Sequence, residues 1–264
     1  MVVCTLGDLL LDVIVRLDSG LAPGDDATAR TTLAPGGQAA NVAAWASALG
    51  AKGRVIAVQA EDDAGSMLRR ELSDRGVDLR GPTGNRTGVV VSLVQPEGGR
   101  TMASDRGSAP ELRAEDLEAE WLECDALHLS GYALIQPPTA EAAERAATLA
   151  RDRDARVSVD LASWTQITRA GDAMRDALAR IRPDVVFGNE LEWEAVGDVG
   201  VGVRVVKRGA HGIRVNGDEH AAIPVAAVDS TGAGDALAAG FIVGGPQLAL
   251  ETAARCVAQV GAMP

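Results

Sequence analysis

Short valine-rich runs alternate along this chain with longer stretches rich in Ala, Leu, Arg and Glu, and no other feature restricts the fold as much. "VVCTLGD", "GRVIAVQA", "DALHLSG", "RVSVDLA", "DVVFGNE", "VRVVKRG" and "GIRVNG" have the composition of strands. "QAANVAAWASALG", "AGSMLRRELSDRG", "TAEAAERAATLARDRD" and "DAMRDALARIRP" have that of helices, with stop signals at Gly50, Gly76 and Pro183. Strands alternating with helices predict an α/β fold: a doubly wound, mainly parallel sheet flanked by helices. Such sheets take ligands beyond the carboxyl ends of their strands. The polar punctuation lies there, at Gly7-Asp8, Ser130-Gly131, Asp160, Asn189-Glu190 and Lys207-Arg208-Gly209.

Two segments break the rhythm. "DVIVRLD…ATARTTLAPGG" and "RTGVVVSLVQPEGGRTMAS" have strand composition with no helix between strands, and the second carries a "PEGG" hairpin turn. They predict a small β lid over residues 12–35 and 85–103 on an α/β core formed by 1–11, 36–84 and 104–264. Two edge hairpins without a binding role are the plainer alternative.

The core must be built largely from Ala, Val and Leu, because apolar residues make up 47% of the chain and aromatics only 3%. Against 25 basic residues stand 37 acidic ones, a formal charge of −12. That field argues against nucleic acid and anionic membranes as partners, and an anionic substrate would need a local basic pocket. Cys4, Cys124 and Cys256 fit neither a zinc spacing nor a disulfide framework and are expected as free thiols. The opening "MVVCTLGDLLLDVIV" has no basic region, and Asp8 and Asp12 interrupt its apolar run, so a soluble cytoplasmic protein is expected. Three scattered histidines make no zinc-enzyme case, and His128, in an apolar strand, is expected in the core. Ser130 lacks the G-x-S-x-G elbow of a hydrolase.

The chemistry concentrates in "DSTGAGDALAAGF", Asp229 to Phe241. Small residues directly before a helix let backbone N–H groups approach an anion, and the helix N-terminus adds partial positive charge. A carboxylate there, Asp235, either caps the helix or takes a proton. As a base beside an anion hole made by Gly232, Ala233 and Gly234, it would suit phosphoryl transfer to a hydroxyl.

This stretch resembles the C-terminal signature of the PfkB-type carbohydrate kinases, the ribokinase-like family. "APGGQAANVAAWASALG" is similar to the family's other signature, and two signatures in the right order are far more specific than either alone. The resemblance runs over essentially the whole chain. It implies that Asp235 is the catalytic base and that Gly232, Ala233 and Gly234 form the anion hole. Asp12, Gly36, Gly37 and Asn41 would bind the sugar hydroxyls. "FGNELEWE" is similar to the family's Asn-x-x-Glu motif, so Asn189 and Glu192 would organise Mg²⁺ and its waters. Lys207, Gly209 and Gly212 in "VVKRGAHG" would flank ATP together with Asn189 and Thr231. Asp229 and Thr231 would hold a monovalent cation such as K⁺. A small-molecule sugar is the implied partner, with a homodimer through the β lid.

The implied activity is ATP-dependent phosphorylation of a hydroxymethyl group on a sugar or sugar-like substrate. The alternatives are a nucleoside kinase and a non-catalytic ligand-binding protein on the same fold. Few aromatics in the lid offer little base stacking, which favours a sugar. Arg100 and Arg106 flank the second lid segment, and a guanidinium turned inward would select an acidic sugar such as 2-keto-3-deoxygluconate. The segment from Asn189 to Lys207 is short, with "AVGDVGVG" where family members carry a helix and a strand, and the tail is compact. Nucleotide preference is therefore the reading that the sequence supports least.

Overall fold

A computed structural model describes residues 1–21, 24–96 and 99–264, with Arg100 described by its backbone alone. In chain order the strands are β1 (Val2–Leu6), β2 (Leu10–Leu17), β3 (Ala29–Gly36), β4 (Lys52–Ile56), β5 (Gln59–Ala60), β6 (Asp78–Arg80), β7 (Thr83–Gly84) and β8 (Gly88–Val94). There follow β9 (Arg100–Asp105), β10 (Ala126–Ser130), β11 (Arg156–Asp160), β12 (Val185–Asn189), β13 (Val203–Lys207), β14 (Ile213–Val215) and β15 (Asp218–His220). The helices are α1 (Gln38–Ala48), α2 (Asp63–Asp74), α3 (Thr139–Arg151), α4 (Trp164–Ala170), α5 (Ala173–Ile181), α6 (Glu190–Val196) and α7 (Ala233–Val257).

The large sheet runs β15-β14-β13-β12-β11-β10-β1-β4-β6. Its neighbours pair in parallel from β6 to β13, and β14 and β15 close one edge antiparallel. A parallel sheet needs cover on both faces. Alternation along the strands supplies two apolar faces. Cys4, Leu6, Leu127, Leu129, Val157 and Val159 pack with residues of α3 and α5 on one side. Val3, Phe187, Val205 and Ile213 pack with α1 and α7 on the other. Gly53 lets β4 and α1 come close: a Cβ on it would lie 2.2 Å from the carbonyl oxygen of Ala43 in α1. Helix α2 starts where its cap dictates, with Asp62 Oδ1 accepting the Gly65 N–H at 2.7 Å.

The second sheet is small, in the order β3-β2-β8-β9, with β2 and β8 parallel at its centre. The predicted "PEGG" turn between β8 and β9 falls on Glu97 and Gly98, outside the described residues.

The segment between Asn189 and Lys207 is short, with no further helix or strand between α6 and β13 among the described residues. The structure departs from expectation in two places. "GRVIAVQA" splits into β4 and β5 rather than forming one strand. Helix α4, in the polar run "WTQITRA", carried no clear apolar period. Helix α7 is long and apolar enough by composition to cross a membrane. However, it is broken at Gly244 and Gly245, followed by Pro246, and Ala236, Leu237, Ala239, Ile242 and Leu250 pack into the core.

Candidate active site

The parallel strands bring their carboxyl ends to one edge of the large sheet, and the site grows from that edge. Asp160 ends β11 and Lys207 ends β13; Lys207 Nζ donates to both Asp160 oxygens at 2.8 Å. Asp160 is fully buried, and a carboxylate withdrawn from water needs such a partner. Burial opposes the Lys207 charge, but the carboxylates of Asp160 and Glu192 outweigh it and raise the ammonium above its ordinary range. Lys207 stays charged.

The chain enters α7 beside that ammonium. Gly232 has φ 76°, and a Cβ on it would come within 2.6 Å of Ala262, so the turn requires glycine. A Cβ on Gly234 would meet Lys207 Nζ at 3.4 Å. The helix N-terminus and the ammonium thus act together on one point, an arrangement suited to a phosphate oxygen.

Asp235 lies in the first turn of α7. Burial pushes its carboxyl up to about 7, although a hydrogen bond from Asn41 and the Lys207 charge work against the rise. Asn41 Nδ2 donates to Asp235 Oδ2 at 2.7 Å, while its buried Oδ1 has no partner. Asn41 sits in the first turn of α1 because Gly37, between β3 and α1, takes φ 95°, a conformation only glycine tolerates well. A Cβ there would lie 2.2 Å from the Asp8 carbonyl oxygen.

Two cavities meet at this turn. One, of about 410 Å³, lies between the small sheet and the strand ends, with Asp8, Asp12, Asn41, Arg106, Tyr132 and Asp235 in its wall. Gly36 makes room for Asp12, since a Cβ on it would lie 2.3 Å from the Asp12 carboxyl group. The other, of about 420 Å³, is more apolar, lined by Lys207, Gly209, Gly212, Ala233 and Gly234 with Ile223, Val225 and Leu250. Asp235 and Gly232 face the first cavity, Ala233 and Gly234 the second. A single turn of chain is their common wall.

Most residues singled out in the sequence gather here, with differences. Thr231, expected beside the nucleotide, lines the first cavity. Arg106 also lines it, but its Nε and Nη2 donate to the two oxygens of Asp8, each at 2.7 Å, so its fork already holds a carboxylate. The Arg100 side chain lies outside the described residues. Asn189 and Glu192 line neither cavity and satisfy each other. Asn189 Oδ1 accepts the Glu192 N–H at 2.9 Å, and the Glu192 oxygens accept the Asn189 N–H and Nδ2 at 2.8 Å. Glu190 and Glu194 are exposed as a solvated helix face would have them, but Glu192 is buried. Because it lines neither cavity, Glu192 does not fit a direct ligand of a Mg²⁺ bound there, whereas the sequence reading has it act through the ion's waters. Among the described residues no group of three or more His, Cys, Asp or Glu could hold a metal.

Asp229 is also fully engaged: Thr231 N and Oγ1 donate to Oδ1, and Arg16 Nη2 and Gly261 N to Oδ2. A monovalent cation does not fit there beside a guanidinium. His128 is buried, as expected, with Nδ1 2.9 Å from Ser158 Oγ and no partner for Nε2. Sequence reasoning missed Tyr132, Gln136 and Gln166 in the first cavity and the roles of Asp8 and Asp160. The last two were visible as polar residues closing apolar strands.

Comparison with known proteins agrees with this geometry. Residues 2–263 match the family model described as "pfkB family carbohydrate kinase". The chain is 33% identical to an ATP-dependent ribose-1-phosphate kinase of Halopiger xanaduensis, over 96% of this chain and 90% of that protein. It is 28% identical to a fructokinase of Escherichia coli, over 96% and 87%. The crystal structure of adenosine kinase from Sinorhizobium meliloti superposes with a TM-score of 0.88 at 23% identity, over 99% of this chain and 95% of that one. That likeness establishes the fold. With the family model spanning both signature turns and everything between them, this chain belongs to the pfkB family of carbohydrate kinases.

Proposed function

We propose that the protein transfers the terminal phosphoryl group of ATP to a hydroxymethyl group of a sugar or sugar-like substrate, with Asp235 as general base. One observation carries the reading: the turn bearing Asp235 is the shared wall of two cavities, so groups bound on either side meet at its N–H donors. Asp235 faces the substrate side and takes the hydroxyl proton. The first-turn N–H groups of α7 and the Lys207 ammonium receive charge on the transferred group. Asn41 orients Asp235 and offers Oδ1 to a substrate hydroxyl. The apolar walls of the second cavity suit a nucleobase. Magnesium, which favours phosphate oxygens and water, would supply charge neutralisation at the nucleotide. The small sheet acts as the lid over the substrate, and its placement supports that role.

Three carboxylates, Asp8, Asp12 and Asp235, against one guanidinium already held by Asp8 favour a neutral substrate over an acidic one. The 33% identical relative's ribose 1-phosphate nonetheless belongs in any substrate panel. Leu33 on β3, about half exposed and opposite Val13 on the face turned away from Asp12, supports a homodimer through the small sheet, which light scattering decides. The test of function is ADP release with fructose, ribose, ribose 1-phosphate, 2-keto-3-deoxygluconate and nucleosides, by wild type and Asp235→Asn. ADP release that depends on a sugar and disappears in the variant is expected. Turnover with none of them, or in both proteins alike, would sink the proposal.

A further inference from the structure

The small sheet touches the entry to α7 through one charged side chain. Along β2, alternation places Leu10, Asp12, Ile14 and Arg16 on one face. Leu10 and Asp12 line the substrate cavity. Arg16, further along the same face, reaches past it to Asp229, with Nη2 3.2 Å from Oδ2. Asp229 opens the loop that leads through Gly232 to Asp235.

Asp229 has no acceptor capacity to spare. Its Oδ1 receives Thr231 N–H at 2.9 Å and the Thr231 hydroxyl at 2.6 Å. Its Oδ2 receives Arg16 and, at 3.2 Å, the Gly261 N–H. The Thr231 carbonyl oxygen, another donor a cation would want, is faced by Cys256 Sγ at 3.3 Å. Burial and the neighbouring carboxylates push that thiol up to about 12, so it remains protonated and able to donate. The side chain of Asp229 is only 11% exposed, so its charge is poorly served by water and needs a partner within the protein. An alkali cation would have to displace a like charge from a carboxylate whose lone pairs are taken.

We propose that Arg16 is a built-in replacement for a monovalent cation at Asp229, a positioning residue that ties the small sheet to the anion-hole loop. The kinase therefore works without K⁺. The inference rests on the phosphotransfer reading for its effect on rate, though not for its effect on cation binding. Arg16 acts through Asp229 and Thr231 on the turn that presents Gly232 and Asp235, and it couples the sheet's position to that turn.

The experiment compares KCl with tetramethylammonium chloride at fixed ionic strength, measuring ADP release and thermal midpoint on the full chain. Wild type is expected to give rates within about twofold and equal midpoints in the two salts, the difference expected of non-specific screening. Arg16→Ala is expected to lose about tenfold in rate in tetramethylammonium, as for one charge-assisted hydrogen bond. Potassium should restore part of that rate and raise the variant's midpoint, and Arg16→Lys should retain most of the wild-type rate. A wild type activated severalfold by K⁺, or stabilised by K⁺ alone, overturns the proposal. So does an Arg16→Ala loss that K⁺ does not relieve, since a merely structural ion pair behaves that way. Arg16→Gln repeats the comparison if the alanine variant does not fold. The melting comparison needs no substrate, so it decides the cation question even if no ADP release is found and the kinase reading itself fails.

Discussion

Asn41 Nδ2 donates to Asp235 Oδ2 across 2.7 Å, joining the first turn of α1 to the first turn of α7. The two residues come from opposite ends of the chain, and each helix start is set by a glycine with positive φ, Gly37 and Gly232. The bond does two things. It aims the carboxylate, and it favours the ionised form against a burial that raises Asp235 to about 7. A base whose pKa lies near neutrality combines availability with proton affinity.

The rate should therefore follow Asp235. kcat/KM is expected to be level above about pH 7 and to fall tenfold per pH unit below it, because only the ionised carboxylate accepts the hydroxyl proton. Asp235→Asn should lose about 10²–10⁴-fold in kcat with nucleotide binding retained. Asn41→Ala removes the donor that favours ionisation, so its acidic limb should move to higher pH and its KM should rise. A pH–rate profile with the limb unmoved in Asn41→Ala would contradict this coupling.

The same carboxylate should weigh on stability. Its folded pKa, about 7, lies above the model-compound value of 3.8, so between those values the folded state holds a proton that the unfolded state releases. Stability from this source is full below 3.8 and is lost as pH rises through about 7. Asp235→Asn has no charge to bury and should be the more stable protein at pH 8, by on the order of 2–4 kcal/mol. The difference should vanish near pH 4. Urea unfolding of both proteins at the two pH values measures it.

His128 works in the opposite sense. Burial lowers its pKa to about 4, so the folded state keeps it neutral where the unfolded chain, at 6.5, takes up a proton. This contribution is present above 6.5 and is lost as pH falls towards 4, about 3 kcal/mol in all. His128→Leu should flatten the acid side of the stability curve between those values, while the loss of the His128 contact, with Ser158 Oγ left to donate to the Leu127 carbonyl oxygen at 3.4 Å, should cost at most about 1 kcal/mol at neutral pH. Equal acid sensitivity in both proteins would show that other groups govern that range.

The fold was legible because its period is local: valine runs and alanine-rich helices alternate, and β10, β11, β12 and β13 each end in a polar residue. The signature turns made Asp235, Asn41 and the small-residue turn legible as well. The partnerships that bridge distant elements were not. Nothing near Arg106 announces that Asp8, far away in sequence, will hold its guanidinium, and nothing near Asp229 announces Arg16. Glu192 read as an exposed acid or a metal organiser because its neighbours Glu190 and Glu194 are exposed. Only the strand register that sets Asn189 beside Lys207 brings its carboxylate inside.

The Asp8–Arg106 pair leads to a prediction about substrate charge. Arg106 holds Asp8 through two hydrogen bonds of 2.7 Å, and its Nη2 lies 3.4 Å from the Tyr132 carbonyl oxygen. Asp8 is 4% exposed, so the pair is a neutral unit in the cavity wall rather than a receptor for anions. Asp8→Asn removes the negative member and leaves a guanidinium facing the substrate. The ratio of kcat/KM for ribose 1-phosphate or 2-keto-3-deoxygluconate to that for fructose should rise about tenfold, the scale of one charge-assisted hydrogen bond. The effect should shrink at high salt because part of it is long-range attraction. Arg106→Met leaves Asp8 buried without its partner and should lower stability and all rates together. If Arg106→Met instead abolished only the acidic substrate and spared the neutral one, Arg106 would be an anion receptor in the wild type, and the neutral-substrate reading would fall with it.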